Sequence, residues 1–368
     1  MSATITHLEA TAAPITATAL RTMRAGVYRG AGCVAVEEVP VPEIAAGELL
    51  VRVAACGICG TDVKKIQHGF VAPPQIFGHE IAGTVVSAGE GARFRPGDRV
   101  ITFHHIPCGS CFYCAQSLFS QCATYKKTGV TAGFDPNGGG FAEFVRIMPW
   151  VAERGVIAIP PDVSFEEATF VEPVNTCVKA VEKARVAAGE TVVVVGQGPI
   201  GLMLLMLAHR AGARVLASDP MPARRARSLR YGAIACVDPA SGSLLEEVRN
   251  RTAGRGADAV LLAVPSPALV AEALAIARPG GRVLLFAHND PQMRIDVPAA
   301  AIGVEEKEIL GSYSAAVDRQ DESARIVFQR QLPLAELVTH RFPLEQIQQA
   351  LDLAARPTGD SLKVVVTP

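Results

Sequence analysis

Four cysteines crowd into one short segment, and their spacing is that of a metal site. The segment PCGSCFYCAQSLFSQC has the pattern C-x2-C-x2-C-x7-C, formed by Cys108, Cys111, Cys114 and Cys122. Four thiolates this close in sequence can close a tetrahedron around zinc, and a closed site has a structural role. An iron–sulfur cluster also uses C-x2-C-x2-C spacing, but the x7 gap and the lack of a following proline argue against it. A nucleic-acid-binding zinc finger is disfavoured because the segment has no basic run.

A second set of metal-ligand types is scattered over three segments. CGICGTD contains Cys56 and Cys59, GHE contains His79 and Glu80, and VEPVNTC contains Glu172. A cysteine, a histidine and a carboxylate are the mixed ligands of a catalytic zinc, which keeps one position for water or substrate. Spacing alone leaves alternatives open. CGIC is also the pattern of a redox dithiol, although that motif favours a thioredoxin-like context, and a lone histidine is often structural.

A glycine pattern further along the chain is typical of a nucleotide site. VVVVGQGPIG contains Gly196, Gly198 and Gly201 as G-x-G-x-x-G, directly after an apolar strand and at the start of a predicted helix. The first glycine permits a tight turn, the second lets the backbone approach a pyrophosphate, and the third lets helix and strand pack closely. The helix N-terminus then faces the phosphates. The alternative is an ordinary glycine-rich turn.

The next strand ends in a residue that can select the nucleotide. RVLASD places Asp219 18 residues beyond Gly201, where a carboxylate binds ribose hydroxyls and repels a 2′-phosphate, so NAD is favoured over NADP. Arg224 and Arg225 nearby could hold a phosphate and weaken that preference.

Two kinds of chain segment must position these residues. Residues 23–150 contain β-rich runs such as GELLVRVAACG, EIAGTVVSAGEG and FAEFVRI. After Pro161 a helical pattern begins at a predicted cap, Ser164, and apolar strands then alternate with amphipathic helices. This alternation predicts an α/β lobe with a parallel sheet covered on both faces. The uncharged run 191–208 has the length of a membrane span, but its glycines are better explained by the nucleotide motif.

Composition excludes several classes of protein. The chain has 368 residues, 35 Lys+Arg and 36 Asp+Glu, for a net charge of −1, which argues against nucleic-acid binding and polybasic membrane attachment. At 49% hydrophobic residues the chain is not disordered as a whole. Nine cysteines, an odd number, do not suggest a secreted disulfide framework. Residues 1–22 are predicted to be a disordered tail without the features of a signal peptide, so the expected location is the cytoplasm.

In their order along the chain, the motifs resemble the zinc-containing medium-chain dehydrogenase/reductase superfamily, on its polyol (sorbitol) and threonine dehydrogenase side. This order is CGICGTD, GHE, the four-cysteine segment, VEP and G-x-G-x-x-G. The resemblance runs from about Met23 to the C-terminus. It implies a GroES-like, β-rich and partly barrel-like catalytic domain over residues 23–175 and 314–368, with a Rossmann NAD-binding domain over 176–313. The active site is expected in the cleft between the two domains.

The resemblance also assigns roles residue by residue. The catalytic zinc ligands are expected to be Cys59 and His79 with a carboxylate, either Glu80 or Glu172. Glu172 stands where polyol dehydrogenases have a glutamate and alcohol dehydrogenases a third cysteine, which favours polyols. Cys56 is expected to be a packed thiol.

Further roles follow from the same resemblance. Asp62 holds the zinc-ligating histidine, and Thr61 takes the substrate proton. The expected cofactor-binding residues are Gly196, Gly198, Pro199, Ile200, Gly201, Asp219 and Arg224.

One position departs from the family pattern. Lys64 stands where a proton-relaying histidine is often found, so it either takes over that relay or contacts a phosphate or an acidic group of the substrate. Of the pair His104 and His105, the second is expected to line the substrate pocket, and the alternative is an ordinary histidine in a turn.

The implied activity is reversible oxidation of a secondary alcohol, most simply a polyol, to a ketone with hydride transfer to NAD. Two zinc ions per chain are expected, one catalytic and one structural. A threonine or amino-alcohol dehydrogenase, a simple alcohol dehydrogenase and a carbonyl reductase are the alternatives. The segment GRVLLF is expected to end the parallel sheet at the edge where related enzymes dimerise, which implies a homodimer or homotetramer.

Overall fold

The computed structural model describes residues 21–104, 106–127, 138–264, 266–286 and 292–368. Residues 1–20 of the predicted tail and His105 lie outside these ranges. The strands in the described ranges are β1 (Thr22–Gly30), β2 (Cys33–Pro40), β3 (Leu49–Gly57), β4 (Gln75–Ile76), β5 (Glu80–Ala88), β6 (Arg99–Thr102), β7 (Phe144–Ile147), β8 (Val156–Ala158), β9 (Thr191–Val195), β10 (Arg214–Ser218), β11 (Ala233–Val237), β12 (Ala257–Leu262), β13 (Ala277–Phe286), β14 (Glu308–Ser312), β15 (Val338–Pro343) and β16 (Lys363–Thr367). The α-helices are α1 (Gly60–His68), α2 (Phe112–Ala115), α3 (Ala123–Lys127), α4 (Pro149–Arg154), α5 (Phe165–Ala168), α6 (Val171–Lys183), α7 (Pro199–Arg210), α8 (Pro222–Arg230), α9 (Leu244–Arg251), α10 (Pro267–Ile276), α11 (Ala299–Gly303), α12 (Gln320–Phe328) and α13 (Ile347–Ala355).

The β-rich lobe contains two sheets, and both ends of the described chain contribute to it. The larger sheet has the order β15-β16-β3-β5-β6-β8, with β7 also paired to β3, and the smaller has the order β2-β1-β4. Val366 of β16 lies opposite Cys56 of β3, so the last strand is built into the larger sheet. Thr22, the final residue of the predicted tail, begins β1 opposite Pro40.

The second lobe is a six-stranded parallel sheet in the order β11-β10-β9-β12-β13-β14. Val192, Val193 and Val194 of β9 are fully buried, as expected for strands covered by helices on both faces. Counted within the lobe, the strand order is 3-2-1-4-5-6, that of a doubly wound dinucleotide-binding fold. The predicted α/β class is therefore confirmed. The order reverses between β9 and β12, and ligands of such sheets bind at that reversal.

The prediction that GRVLLF ends this sheet is wrong. β14 continues the sheet beside β13, with Glu308 opposite Arg282 and Ser312 opposite Phe286. The strand signal of EILGS is weak because only two of its five residues, Ile309 and Leu310, are large and apolar. The helix just before β14, α11, has only five residues, so the βα alternation is also hard to recognise there.

The single helix predicted from Ser164 onward is two helices in the structure. Ser164 caps α5 as predicted, because its hydroxyl accepts from the Glu167 N–H and the Glu167 carboxylate accepts from the Ser164 N–H. The helix is then interrupted at Thr169, whose hydroxyl donates to the carbonyl of Glu166 at 2.7 Å. The separate helix α6 follows, with Glu172 in its first turn.

The apolar run 191–208 is divided between β9 and α7, which has 12 residues. Across the described ranges, no helix has both the length and the apolar character needed to cross a membrane.

Candidate active site

Cys59 is fixed by the turn that joins β3 to α1. It is the N-cap of α1, and its Sγ accepts from the Thr61 N–H at 3.5 Å. Asp62 completes a capping box, because its Oδ2 accepts from the Cys59 N–H at 3.2 Å. The sulfur is therefore held by backbone geometry within one helical turn.

Asp62 also orients His79. Both side chains are buried, and Asp62 Oδ1 lies 3.1 Å from His79 Nδ1. With the Nδ1 proton donated to the carboxylate, Nε2 keeps its lone pair for a metal. Burial alone would lower the pKa of His79, but the charges of Asp62 and Cys59 outweigh it and raise that pKa well above its usual value. The effect of His79 likewise outweighs burial at Asp62, so the pKa of this carboxyl is lowered.

The carboxylate of Glu80 lies near Cys59 and His79, and its charge is balanced by a lysine close to the C-terminus. The Glu80 carboxylate is 1% exposed and forms an ion pair with the ammonium of Lys363 on β16. Lys363 also donates to the carbonyl of Ile58 at 3.1 Å. A Cβ on Gly57 would lie 2.0 Å from Glu80 Oε2, so a side chain at Gly57 would displace the carboxylate.

The ligand atoms of Cys59, His79 and Glu80 all lie within 4.8 Å of one another. A thiolate, an imidazole and a carboxylate converging in a buried place fit zinc. Glu172 lies in the adjoining pocket but outside this three-residue set. Burial raises the pKa of Glu172 to about 7.

A histidine that was not assigned to the pocket from the sequence lies beside this metal-ligand set. His104 is buried, lines the pocket, and has Nδ1 3.5 Å from Glu172 Oε1. Its ring centroid is 4.8 Å from that of His79. The expectation placed His105 here, and His105 lies outside the described residues. The signal for His104 was present, since HH stands directly after the strand that ends at Thr102.

The four closely spaced cysteines of residues 108–122 come together, as their spacing predicts. The Sγ atoms of Cys111 and Cys114 are 3.5 Å apart, those of Cys108 and Cys122 3.6 Å, and those of Cys108 and Cys114 3.9 Å. A zinc tetrahedron with Zn–S bonds of about 2.3 Å has S···S edges of about 3.8 Å. The thiols thus fit one zinc ion with no position left open.

The glycine motif takes the shape that a nucleotide site requires. Gly196 has φ +86°, and a Cβ on Gly201 would lie 1.7 Å from the carbonyl oxygen of Gly196. Gly198 is the N-cap of α7, and Pro199 stands in the first turn. Together with Ile200, these residues line one wall of a cleft that we call the nucleotide cleft.

Asp219 and Arg224 lie beside this loop. Asp219 Oδ2 accepts from the Gln197 N–H at 2.7 Å and lies 3.9 Å from Arg224 Nη1. Among the described residues, the buried Nε of Arg224 has no hydrogen-bond partner, which fits an anionic group of a cofactor. Arg225 is engaged elsewhere, because its guanidinium pairs with Asp238 at 2.9 Å.

A second cleft adjoins the first, and we call it the substrate pocket. Both clefts are lined by Cys59, Gly60, Ile200, Ala263 and Val264. The substrate pocket alone is lined by Thr61, Lys64, Lys65, His79, His104, Glu172, Pro173, Thr176, Phe286, Ser312, Tyr313 and Ser314. Partial burial lowers the pKa of Lys64.

A dinucleotide-type cleft that meets a thiolate–imidazole–carboxylate set defines a metal-dependent oxidoreductase. Comparisons with known proteins agree. Residues 45–161 match the alcohol dehydrogenase GroES-like domain, and residues 199–328 match the zinc-binding dehydrogenase domain. An L-threonine 3-dehydrogenase of Symbiobacterium thermophilum is 34% identical over 90% of this chain and 93% of that protein. A sorbitol dehydrogenase of Bacillus subtilis is 29% identical over 96% of this chain and 99% of that protein.

A solved structure agrees as well. A zinc-binding dehydrogenase from Sinorhizobium meliloti 1021, bound to NADP, matches with a TM-score of 0.85 at 29% identity and covers 94% of this chain and 99% of its own. The chain therefore belongs to the zinc-binding dehydrogenase family, and the resemblance drawn from the motifs is confirmed. It is an oxidoreductase of a family that uses zinc and a nicotinamide cofactor.

Proposed function

We propose that this chain reversibly oxidises a secondary alcohol, most simply a polyol or sugar alcohol, to a ketone with hydride transfer to NAD. The observation that carries the proposal is that Cys59 lies in the shared wall of the nucleotide cleft and the substrate pocket. A carbinol carbon held there reaches both the metal-ligand set and the nicotinamide.

Each residue of the site has a distinct task in this reaction. Cys59 and His79 would hold zinc, with Glu80 or Glu172 as the carboxylate, and bound zinc supplies Lewis acidity toward the substrate hydroxyl. Thr61 Oγ1 accepts the hydroxyl proton of the substrate. Asp62 keeps His79 in its ligating tautomer.

The proton then has a route away from Thr61 along α1. Lys64 lies three residues further on, on the same face of the helix, and lines the same pocket. Its lowered pKa helps its ammonium to exchange a proton with Thr61 and with solvent.

Hydroxyl groups around the substrate pocket support a polyol. Thr61, Thr176, Ser312 and Ser314 all line it. Ser312 Oγ is buried and has no hydrogen-bond partner among the described residues, so a second hydroxyl of the substrate would satisfy it. A curated relative named sorbitol dehydrogenase supports the same class.

The position of Asp219 supports NAD. It follows β10 and accepts from the Gln197 N–H of the glycine turn, which is where a dinucleotide-binding fold has the carboxylate that binds the adenosine ribose. Arg225 is paired with Asp238. A relative was solved with NADP, so turnover with NAD and with NADP is measured separately.

An L-threonine or amino-alcohol 3-dehydrogenase is the second candidate. It is favoured by the 34% identity to a threonine dehydrogenase and by Lys64 and Lys65, which could bind a substrate carboxylate. A simple alcohol dehydrogenase or carbonyl reductase would use the same metal and cofactor residues.

The deciding experiment measures NADH and NADPH formation by purified, zinc-loaded protein. The panel contains sorbitol, xylitol, galactitol, inositols, L-threonine and simple alcohols, and metal analysis should find two zinc ions per chain. Turnover of a polyol with NAD supports the proposal, and turnover of threonine alone replaces it by the second candidate. Ser312→Ala should raise the KM for a polyol. The KM for a simple alcohol, which has no second hydroxyl, is the matched control and should stay unchanged.

We further infer a cytoplasmic homodimer or homotetramer. The edge position of β14 in the described sheet supports association, since an edge strand presents unpaired backbone groups. The nine free thiols support a reducing compartment. Light scattering on the purified protein tests the assembly, and a monomer would contradict it.

A further inference from the structure

One wall of the substrate pocket is a short segment, Tyr313–Ala316, which follows the carboxyl end of β14. Tyr313 and Ser314 line the pocket. Ser314 has φ +59°, a conformation that non-glycine residues rarely adopt. Such a backbone persists only where its surroundings hold it in place. The contacts that hold this wall segment therefore bear on the shape of the pocket.

Helix α6 provides the first set of contacts. Asn175 Oδ1 accepts from the Ala316 N–H at 2.8 Å, and its Nδ2 donates to the Ala316 carbonyl at 3.0 Å. Lys179 Nζ donates to the carbonyls of Tyr313 at 2.8 Å and Ser314 at 3.3 Å. Both residues share a helix face with Glu172, at spacings of three and seven residues.

The second set of contacts comes from the segment 108–127 that carries the four cysteines, which we call the cysteine lobe. The Tyr125 hydroxyl lies 2.7 Å from Ser314 Oγ and donates to the Ala315 carbonyl at 3.1 Å. Because a carbonyl only accepts, Ser314 Oγ donates to the phenol oxygen. Ser120 Oγ accepts from Lys179 Nζ at 3.3 Å, which ties the lobe to the same lysine.

Tyr125 packs against the cysteines themselves. Tyr125 is 1% exposed and packs with Cys114 and Cys122 in a small cluster separate from the main cores. Neither Tyr125 nor Lys179 lines the substrate pocket. Their hydrogen bonds to Tyr313, Ser314 and Ala315 connect them to the pocket through the wall segment.

We propose that the cysteine lobe positions the substrate pocket, with Tyr125 and Lys179 as the positioning residues that hold the wall segment in its binding conformation. In this arrangement the lobe, whose thiols otherwise only close a structural site, sets the affinity for the alcohol. The expected change in the KM for the alcohol rests on the proposed function. The expected change in the local order of the wall segment rests on the geometry alone.

Two variants with matched controls test the proposal in the zinc-loaded full chain. Tyr125→Phe and Lys179→Met remove the polar contacts. Tyr231→Phe is the control for the first, because Tyr231 is also buried and its hydroxyl donates to Glu336 at 2.9 Å, far along the chain from the wall. Lys183→Met is the control for the second, one turn further along α6 on the exposed side.

The kinetic readout is the KM for the alcohol against the KM for the cofactor and kcat. If the free energy of one hydrogen bond no longer stabilises the binding conformation, the alcohol KM should rise about fivefold. The cofactor KM and kcat should stay within about twofold of wild type, and both controls should match wild type. A rise of all constants together, or a change equal to that of the controls, overturns the proposal.

The structural readout is hydrogen–deuterium exchange of a peptide that contains residues 313–316. Exchange should be faster in Tyr125→Phe and Lys179→Met than in the two controls, because the wall opens locally more often. Unchanged exchange in an enzyme that turns over an alcohol overturns this inference alone. Absence of turnover across the whole substrate panel would contradict the proposed function, and the exchange comparison would still decide the positioning role.

Discussion

Replacing Lys363 by methionine is the most informative perturbation of the buried site. Lys363 is 3% exposed as a residue, and its partner Glu80 is 1% exposed. The charge of Glu80 outweighs the effect of burial and raises the pKa of Lys363. Methionine keeps most of the volume and removes the charge, so a carboxylate is left in the interior without a cation.

The size of the effect follows from that burial. Removal of one partner of a buried ion pair costs about 3–5 kcal/mol. With an unfolding entropy of about 2.1 cal/mol/K per residue and 368 residues, the Tm of the metal-free protein should fall by about 4–6 °C. Zinc should reduce this loss, because the metal can take the carboxylate that the lysine releases. The double variant Lys363→Met/Glu80→Gln should recover most of the stability.

The assay is scanning calorimetry on chelator-treated and zinc-loaded protein. Lys307→Met is the matched control: Lys307 is 8% exposed and donates to the Leu274 carbonyl at 2.7 Å, but its carboxylate partner Glu305 is 45% exposed. Water can solvate Glu305, so this variant should lose only about 1 kcal/mol. Equal losses in the two lysine variants, or a Lys363→Met loss that zinc does not reduce, would refute the reasoning.

Three further outcomes are expected. Cys59→Ser should abolish turnover while NADH binding, followed by fluorescence titration, survives; turnover without zinc at the site would contradict the assignment. Asp62→Asn should weaken zinc retention on dialysis or activity by about 10–100-fold, because His79 loses the charge that orients it; unchanged retention and activity would show that the hydrogen bond is idle. Burial raises the pKa of Glu172 from its usual 4.5 to about 7, so the metal-free folded protein keeps a proton that the unfolded chain releases. Its stability should therefore fall by about 3 kcal/mol between pH 4.5 and 7, and Glu172→Gln should remove that slope in thermal melts; a slope that persists in the variant would point to another group.

Features that depend on short spacing could be predicted from the sequence. The parallel sheet followed from apolar runs that alternate with amphipathic helices, and the tight turn at Gly196 and Gly201 followed from their place between strand and helix. Ser164 and Glu167 form the predicted capping box because both lie within one turn. Such features depend on nearest neighbours along the chain.

Features that depend on distant pairing could not be predicted. The sequence near Glu80 does not indicate Lys363 as its partner, because their contact requires β16 to pair with β3. The place of His104 in the pocket was also not predicted, because β6 ends at Thr102 and strand alternation therefore no longer determines which side chain faces inward. The contact of Tyr125 with Ser314 could not be predicted either, because the two residues are 189 positions apart in the chain.

The pairing of β16 with β3 also has a consequence for the order of events during biosynthesis. The six parallel strands β9–β14 are contiguous in the chain, so that sheet can form as soon as its own residues leave the ribosome. The Ile58 carbonyl and the Lys363 ammonium that meets it are 305 positions apart. At about 5–20 residues per second, translation of that interval takes roughly 15–60 s. During that time the nascent metal site lacks its lysine counter-charge, which gives metal ions in the cell an early opportunity to bind Glu80.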